Sequence, residues 1–274
     1  MKTQISLKAL IFLSLLIGAL PLLAQKRIFV EPRPNQSDAA SSQLVQNFLN
    51  VSGGRDRHNR LRNVVATGTI KESTLERRFE LIETSSGQRH LTYEWTHLGR
   101  SHKVVYAHDG VETWKQDLAP KKDHPDTVGG IDGQHFGEVL WLIHPFTLPR
   151  MADYVFEYRA DSKVKGRPAH LVKGFGKNNR PLWFYFDQEN FLITRWGSIG
   201  LIAGVEEYMD YQATKFQRID GLVFPSEIEL VAENSVYGQV VFESIRTNQD
   251  LGGLSFFKPH STIPMLRQRP AASN

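Results

Sequence analysis

The sequence has 274 residues, with 33 Lys and Arg against 29 Asp and Glu, which gives a formal net charge of +4. This length is ample for a large buried core, and so small a basic excess, spread without a basic run, does not indicate a nucleic-acid partner. The chain has no cysteine. This excludes a disulfide framework, a thiolate metal site, a cysteine nucleophile and the lipid-bearing cysteine of a bacterial lipoprotein.

The first 24 residues show the succession of basic, apolar and small residues that is typical of a secretory signal peptide. Two lysines accompany an apolar run over 9–20, Pro21 breaks that run, and Ala24 supplies the small residue of a cleavage site. The run is shorter than the roughly 20 residues that span a bilayer, so an uncleaved membrane anchor is the weaker alternative. We predict export to the periplasm, cleavage near Ala24, no membrane span afterwards, and a flexible leader over 25–37.

A helix is predicted next. Ser37 or Asp38 can cap its start, and Gly53-Gly54 can end it because glycine accepts the left-handed conformation of a helix C-terminus. Between these limits the apolar residues recur at helical spacing: Ala40, Leu44, Val45, Phe48 and Leu49. A second, short helical turn is predicted near 56–61.

From Asn63 onward, apolar residues recur at every second position. This spacing predicts β-strands with one buried face. Asp-Gly and Asn-rich pairs supply the positive φ that tight hairpins need. Such turn signals recur at short intervals: Ser85-Ser86-Gly87, Asp109-Gly110, Lys165-Gly166, Lys177-Asn178-Asn179 and Asp220-Gly221. Many short strands joined by hairpins predict an antiparallel meander.

One predicted strand, over 182–186, is apolar on both faces (LWFYF). A strand that is covered on one side only would alternate apolar and polar residues. The segment therefore either lies at the centre of the sheet with something packed on each face, or one of its faces lines a cavity.

An insertion over 117–150 interrupts the strands. Its first part, 117–133, is rich in Pro, Gly, Lys and Asp, which predicts a mobile loop. A helix is predicted to follow and to end at Pro145, because apolar residues recur at helical spacing: Phe136, Val139, Leu140 and Ile143, with Trp141 beside them. This helix must lie over the sheet to bury its apolar stripe, either as a fixed plug or as a lid. Residues 260–274 are predicted to be a disordered tail.

Four stretches resemble, by their order and spacing, recurring features of the LolA/LolB-like superfamily of outer-membrane lipoprotein-sorting proteins. They are 164–174 (VKGRPAHLVKG), 183–187 (WFYFD), 208–211 (YMDY) and 219–225 (IDGLVFP). The resemblance implies an α+β, mainly β fold, in which a strongly curved antiparallel sheet forms an incomplete barrel with a few helices covering the open side. It implies a single domain over 38–259 with an apolar interior that holds acyl chains.

The sequence contains no recognised catalytic or cofactor motif. There is no Gly-x-Ser-x-Gly, Ser-x-x-Lys or His-Glu-x-x-His sequence. The adjacent Glu206 and Glu207 point to opposite faces of a strand, and a solvated face explains Glu227 and Glu229. The ten histidines show no metal-ligand spacing. We therefore predict a protein without enzymatic activity, without a metal site and without a cofactor.

The candidate ligand-binding residues are aromatic. Trp183 or Phe184, whichever lies on the concave face, is the first candidate for lining a cavity; Phe136 and Trp141 of the insertion come next, followed by Trp95. Core packing explains most aromatic residues of a β domain, so only a subset can line such a cavity.

These observations predict a periplasmic binding protein for a hydrophobic or acylated ligand, acting as a carrier or sensor of lipid or lipoprotein acyl chains. The alternative is an envelope scaffolding or interaction module with a filled core and a protein partner. A hydrolase whose catalytic residues meet only in the fold is the third hypothesis. A continuous apolar cavity would favour the first hypothesis, and a filled interior would favour the second.

Overall fold

The computed structural model of the chain describes residues 32–73, 75–120, 124–138, 141–146, 150–176, 180–202 and 205–259. The predicted signal peptide, the predicted C-terminal tail and the predicted turn at Lys177-Asn178-Asn179 lie outside these residues. Within them, no helix has the length and apolar composition that crossing a membrane requires.

The two predicted N-terminal helices are present. Helix α1 spans Ala39–Val51, and the carboxylate of Asp38 caps it by accepting a hydrogen bond of 2.7 Å from the backbone N–H of Ser41. Helix α2 spans Arg55–Arg60. The apolar face of α1 is buried, through Leu44, Val45, Phe48 and Leu49.

The strands form one antiparallel sheet with the order β6-β5-β4-β3-β2-β1-β13-β12-β11-β10-β9-β8-β7. The first six strands are β1 (Asn63–Glu72), β2 (Leu75–Thr84), β3 (Arg89–His97), β4 (Arg100–His108), β5 (Thr113–Ala119) and β6 (Asp126–Thr127). The other seven are β7 (Val155–Val164), β8 (Arg167–Phe175), β9 (Pro181–Asp187), β10 (Ile193–Ile202), β11 (Val205–Ile219), β12 (Leu222–Ala232) and β13 (Ser235–Thr247). The sheet is curved but not closed, and helices accompany it, so the predicted fold class is confirmed.

The topology consists of two meanders joined through β1 and β13, which pair with Val64 opposite Thr247 and Glu72 opposite Gly238. Because the first strand pairs with the last, the two edges of the sheet are β6 and β7. These edge strands follow one another in the chain. The connection between them therefore has to cross the open side of the incomplete barrel.

Two hairpin turns have the geometry that their residues predict. Lys165 and Gly166 have φ of 48° and 80°, and Asp220 and Gly221 have φ of 50° and 82°. Positive φ at both central residues is the requirement of the tight turn that matches the twist of paired strands.

The main core lies on one face of the sheet, called here the inner face. Its members include Leu81, Leu91, Phe184, Phe186 and Trp196. The opposite, outer face is covered in one region by residues 251–256, where Phe256 packs with Val65 and Ile82. The indole Nε1 of Trp114 donates to the carbonyl of Phe256 over 2.8 Å, which fixes this C-terminal segment on the outer face.

The insertion differs from its prediction. Helix α3 spans Gly130–Glu138, inside and just after the predicted loop, and the short strand β6 also lies in that loop. Residues 141–146 are turns and bends and not the predicted helix, while Val139 and Leu140 lie outside the described residues. The helix prediction over 141–143 was wrong because the N–H groups of these residues donate to the side chain of Glu83. These donors are therefore not available to helical carbonyl groups.

Candidate functional site

The segment that crosses the open side of the barrel is the candidate functional element. We call residues 130–146 the closing segment, of which 139 and 140 lie outside the described residues. Its helix α3 packs on β10 and on β5, which belong to opposite halves of the sheet. The closing segment therefore bridges the two halves and lies over the inner face.

The second half of the closing segment fills the interior. Four of its side chains are buried in the main core: Trp141, Leu142, Ile143 and Phe146. The ring of Trp141 meets that of Phe79 at a centroid distance of 5.6 Å, and the ring of Phe146 meets that of Phe184 at 4.9 Å. These contacts place the segment directly on the apolar inner face of the sheet.

A buried carboxylate holds this half in place. Glu83 of β2 accepts hydrogen bonds from the backbone N–H groups of Trp141, Leu142 and Ile143 at 2.7, 2.8 and 3.1 Å. Its partner Arg89 lies on β3, directly opposite in the sheet register, with Nε 3.6 Å from the carboxylate. The side chains are 0% and 1% exposed, so this ion pair is fully inside the protein.

Arg89 also contacts the closing segment. Its guanidinium lies 4.6 Å from the ring centroid of Phe136 and 5.0 Å from that of Trp141, and it donates to the carbonyl of Phe136 over 3.3 Å. Burial raises the pKa of the Glu83 carboxyl, while the Arg89 charge and the three N–H donors oppose that rise. Two residues of the sheet thus contact both halves of the closing segment through charge and hydrogen bonds.

A histidine fixes α3. His135 lies between Ser198 of β10 and Tyr211 of β11, with Nδ1 2.5 Å from the serine Oγ and Nε2 3.0 Å from the phenol oxygen. Burial, with further contributions from the charges of Arg89 and Arg180, lowers the pKa of His135 to about 3. The imidazole is therefore neutral at physiological pH, and each of its two nitrogens has a hydroxyl partner.

Among the described residues, little free volume remains beside helix α1 in the interior. Between α1, the closing segment and β12, a cavity of about 20 Å³ remains, lined by residues such as Phe48, Ile143 and Phe224. This is room for about one water molecule and not for a hydrocarbon chain. In this conformation the inner face is occupied by the protein's own side chains.

A larger pocket of about 490 Å³ opens beside α3, and we call it the mouth pocket. Its lining includes His108 and Thr113 from the β4–β5 hairpin, Gly133 from α3, and Asp153 and Tyr154 from the other end of the sheet. It therefore lies at the seam that α3 bridges. Its volume falls in the range of small-molecule sites, and its glycine-rich lining combines polar and apolar surface.

The five predicted ligand-binding residues do not share one cavity. Phe184 and Trp141 lie in the inner core, and Phe136 packs at its margin. Trp183 lies on the outer face, where its indole donates to Asp210 of β11. Trp95 is half-buried near the end of β3 and stacks on His102 at 4.9 Å.

The polar residues that hold the closing segment were not singled out from the sequence. Glu83 continues the inward row of Phe79 and Leu81 on β2, and Arg89 begins the inward row of β3. A charged residue in an apolar inward row is a detectable signal. Which segment the carboxylate binds depends on the fold, since Glu83 and Ile143 are 60 residues apart.

Within the described residues, no three His, Asp or Glu side chains are arranged to hold a metal ion.

Comparisons with known proteins show similarity of structure only. No protein-family model matches the chain, and no curated protein matches its sequence. A crystal structure of a domain assigned to the outer membrane lipoprotein-sorting proteins of Vibrio parahaemolyticus is 12% identical and has a TM-score of 0.50, covering 77% of this chain and 95% of that one. A LolA superfamily protein from Nitrosomonas europaea is 10% identical with a TM-score of 0.50, covering 77% of this chain and 94% of that one.

The chain therefore has the fold of the LolA superfamily, and the resemblance read from the sequence is confirmed for the fold. Identities of 10% and 12% carry no ligand or site residue across from those proteins.

Proposed function

We propose that this protein is an exported, non-enzymatic binding protein of the periplasm that takes up a hydrophobic or acylated ligand on its inner face. The ligand replaces the apolar side chains of the closing segment. The observation that supports this most is that, among the described residues, the inner face is covered by helix α1 and by a connection between strands, and not by a second layer of strands. A connection can leave without breaking any strand pairing.

The energies of this exchange are of similar size. Burying an acyl chain gains about 0.8 kcal/mol per methylene, or about 10 kcal/mol for a dozen methylenes. Withdrawing the four buried side chains of the closing segment from the core costs about 1.5–3 kcal/mol each, or about 6–12 kcal/mol together. The free energy gained by burying the acyl chain and the free energy lost by exposing the four side chains nearly cancel. The contacts of Glu83 and His135 therefore decide how readily the closing segment leaves the inner face.

The mouth pocket supplies a polar neighbour for such a site. It lies next to α3 and contains His108, Thr113 and Asp153. A lipid or an acylated peptide has a polar end that must stay hydrated or hydrogen-bonded when its chain is buried. We place that end in the mouth pocket and the hydrocarbon on the inner face.

Photo-crosslinking with a diazirine-bearing palmitic acid tests the proposal. The mature protein is irradiated with the probe, digested and analysed by mass spectrometry. We expect crosslinks on inward residues such as Phe184, Phe186 and Trp196, and competition by unlabelled palmitate. Crosslinks confined to exposed apolar residues such as Leu98 and Val236, without competition, would contradict the proposal.

The second candidate function is an envelope interaction module with a permanently filled core and a protein partner. The residual cavity of about 20 Å³ favours it. It predicts that protein purified gently from its native envelope carries no lipid in native mass spectrometry and that the inner face is never labelled. The same crosslinking experiment therefore separates the two candidates.

A further inference from the structure

The outer face of β9 forms a second pocket. The inward residues Leu182, Phe184 and Phe186 belong to the core, whereas Trp183 and Tyr185 line an outer-face pocket of about 330 Å³. This resolves the unusual composition of the strand, because one face packs in the core and the other lines a cavity. The pocket lies on the face opposite the closing segment and is independent of the proposed function.

A hydrogen-bonded network builds this pocket. Asp210 of β11 is 4% exposed, and its carboxylate accepts from the indole of Trp183 and from Arg195, whose Nε lies 2.9 Å away. The guanidinium of Arg195 lies 5.5 Å from the ring centroid of Tyr185 and donates to the side-chain oxygen of Asn234 over 3.4 Å. One network thus fixes lining residues from three strands and a turn before any ligand arrives.

The aromatic wall has an exposed member. Tyr208 of β11 is 52% exposed and meets Trp183 edge-on at a centroid distance of 5.2 Å. On the other half of the outer face, Phe256 and its neighbours cover the apolar residues Val65 and Ile82. No such cover lies over Tyr208 among the described residues, so its ring borders open space, whereas Trp183 beside it is 6% exposed.

The charges of the lining balance. Lys173 and Arg195 contribute two positive charges, and Asp210 and Glu233 contribute two negative charges. Arg195 is paired with Asp210, and Lys173 and Glu233 supply one further charge of each sign, so neither an anionic nor a cationic ligand finds a net opposite charge. A pure hydrocarbon would strip water from Glu233 and Asn234 without giving them hydrogen bonds, which is costly.

We propose that the outer-face pocket binds a neutral carbohydrate. A sugar ring has an apolar C–H face that packs against aromatic rings and a rim of hydroxyl groups that hydrogen-bond to carboxylate and amide side chains. Tyr208 and the half-buried Tyr185 offer the aromatic surface, and Glu233 and Asn234 at the β12–β13 turn offer the polar groups. A few converging polar groups beside apolar and aromatic side chains are the usual composition of a small-ligand site.

Titration of the mature protein with neutral oligosaccharides tests this proposal. The probes are maltotriose, cellotriose and triacetylchitotriose, followed by tryptophan fluorescence and by isothermal titration calorimetry. We expect saturable binding of at least one probe. Tyr208→Ala and Asn234→Ala should each weaken that binding tenfold or more.

The matched control is Tyr237→Ala, because Tyr237 is also an exposed tyrosine, at 37%, and does not line the pocket. It should leave the affinity unchanged. The proposal is overturned if none of the three probes binds, if binding survives both pocket substitutions, or if choline or inorganic phosphate binds there in place of the sugars. Palmitate labelling of the inner face should be the same in all three variants, so failure here leaves the function proposed above untouched.

Discussion

Glu83 is the residue on which the packing of the closing segment depends most. Its carboxylate is buried, pairs with Arg89 and accepts from three consecutive backbone N–H groups. Replacing one member of a buried ion pair leaves the other charge without compensation, which is far more destabilising than losing an exposed pair.

We expect Glu83→Gln to destabilise the protein by about 3–5 kcal/mol, since Arg89 keeps its charge in the core. Urea unfolding of the mature protein at pH 7 measures this loss. Glu94→Gln is the matched control, because Glu94 also forms an ion pair, with Lys103, but is about half exposed. That change should cost less than about 1 kcal/mol. Equal losses in the two variants would contradict the special role of Glu83.

His135 makes stability depend on pH in a defined direction. Its pKa in the folded protein is about 3, below the ordinary value of 6.5. Protonation therefore favours the unfolded state, and the stability that is present above pH 6.5 is lost as the pH falls towards 3. At pH 5 this residue alone should account for a loss of about 2 kcal/mol relative to pH 8.

Urea unfolding of wild type and His135→Gln at pH 8 and pH 5 checks this expectation. Glutamine can keep hydrogen bonds to Ser198 and Tyr211 but does not titrate, so the variant should lose less stability between the two pH values. His97→Gln serves as the control, because His97 is exposed. It should retain the wild-type pH dependence, and an unchanged dependence in His135→Gln would refute the assignment.

At the scale of elements, the hairpins were predictable and the closing segment was not. Asp220-Gly221 and Lys165-Gly166 set their own turns through local backbone preference, and period-two spacing marked the strands. The spacing of Phe136 and Ile143 also satisfied a helix, but Glu83 bound the backbone of 141–143 instead. A long-range contact of this kind leaves no local signal. The two-faced apolar composition of β9 left open whether both faces are packed or one lines a cavity; its inward residues lie in the core, and Trp183 and Tyr185 line the outer-face pocket.

A substitution at Trp141 tests whether the closing segment is a replaceable cover of the inner face. Trp141→Ala should cost about 3–5 kcal/mol in urea unfolding and should leave a cavity on the inner face. Because that cavity is apolar, we expect stronger labelling by the diazirine palmitate probe than in wild type. Trp114→Ala, which removes an equally buried indole from the outer face, should cost stability without increasing the labelling. An equal increase in both variants would mean that general loosening causes it.

At the scale of the whole molecule, the predicted export signal determines where the protein acts. We expect the protein recovered from the periplasm to begin at Gln25, because the apolar run ends before Ala24. Amino-terminal sequencing of the fractionated protein measures this. Replacing Leu13 and Leu16 with Arg interrupts the apolar run and should retain the full-length chain in the cytoplasm. A mature protein that still begins at Met1 would rule out cleavage.

The pairing of β1 with β13 has a consequence for how the chain acquires its structure. The backbone groups of β1 that face β13 have no partner in the sheet until residues 235–247 are available, some 170 positions after β1 itself. Until then, the first meander has an edge strand with unpaired backbone groups, and such edges promote aggregation by pairing with other chains. Sequence-distant closure of this kind is also slow. We expect a chain that stops before Ser235 to sediment as aggregate. Pairing of the last strand would then be the step that protects newly made copies from aggregating with one another.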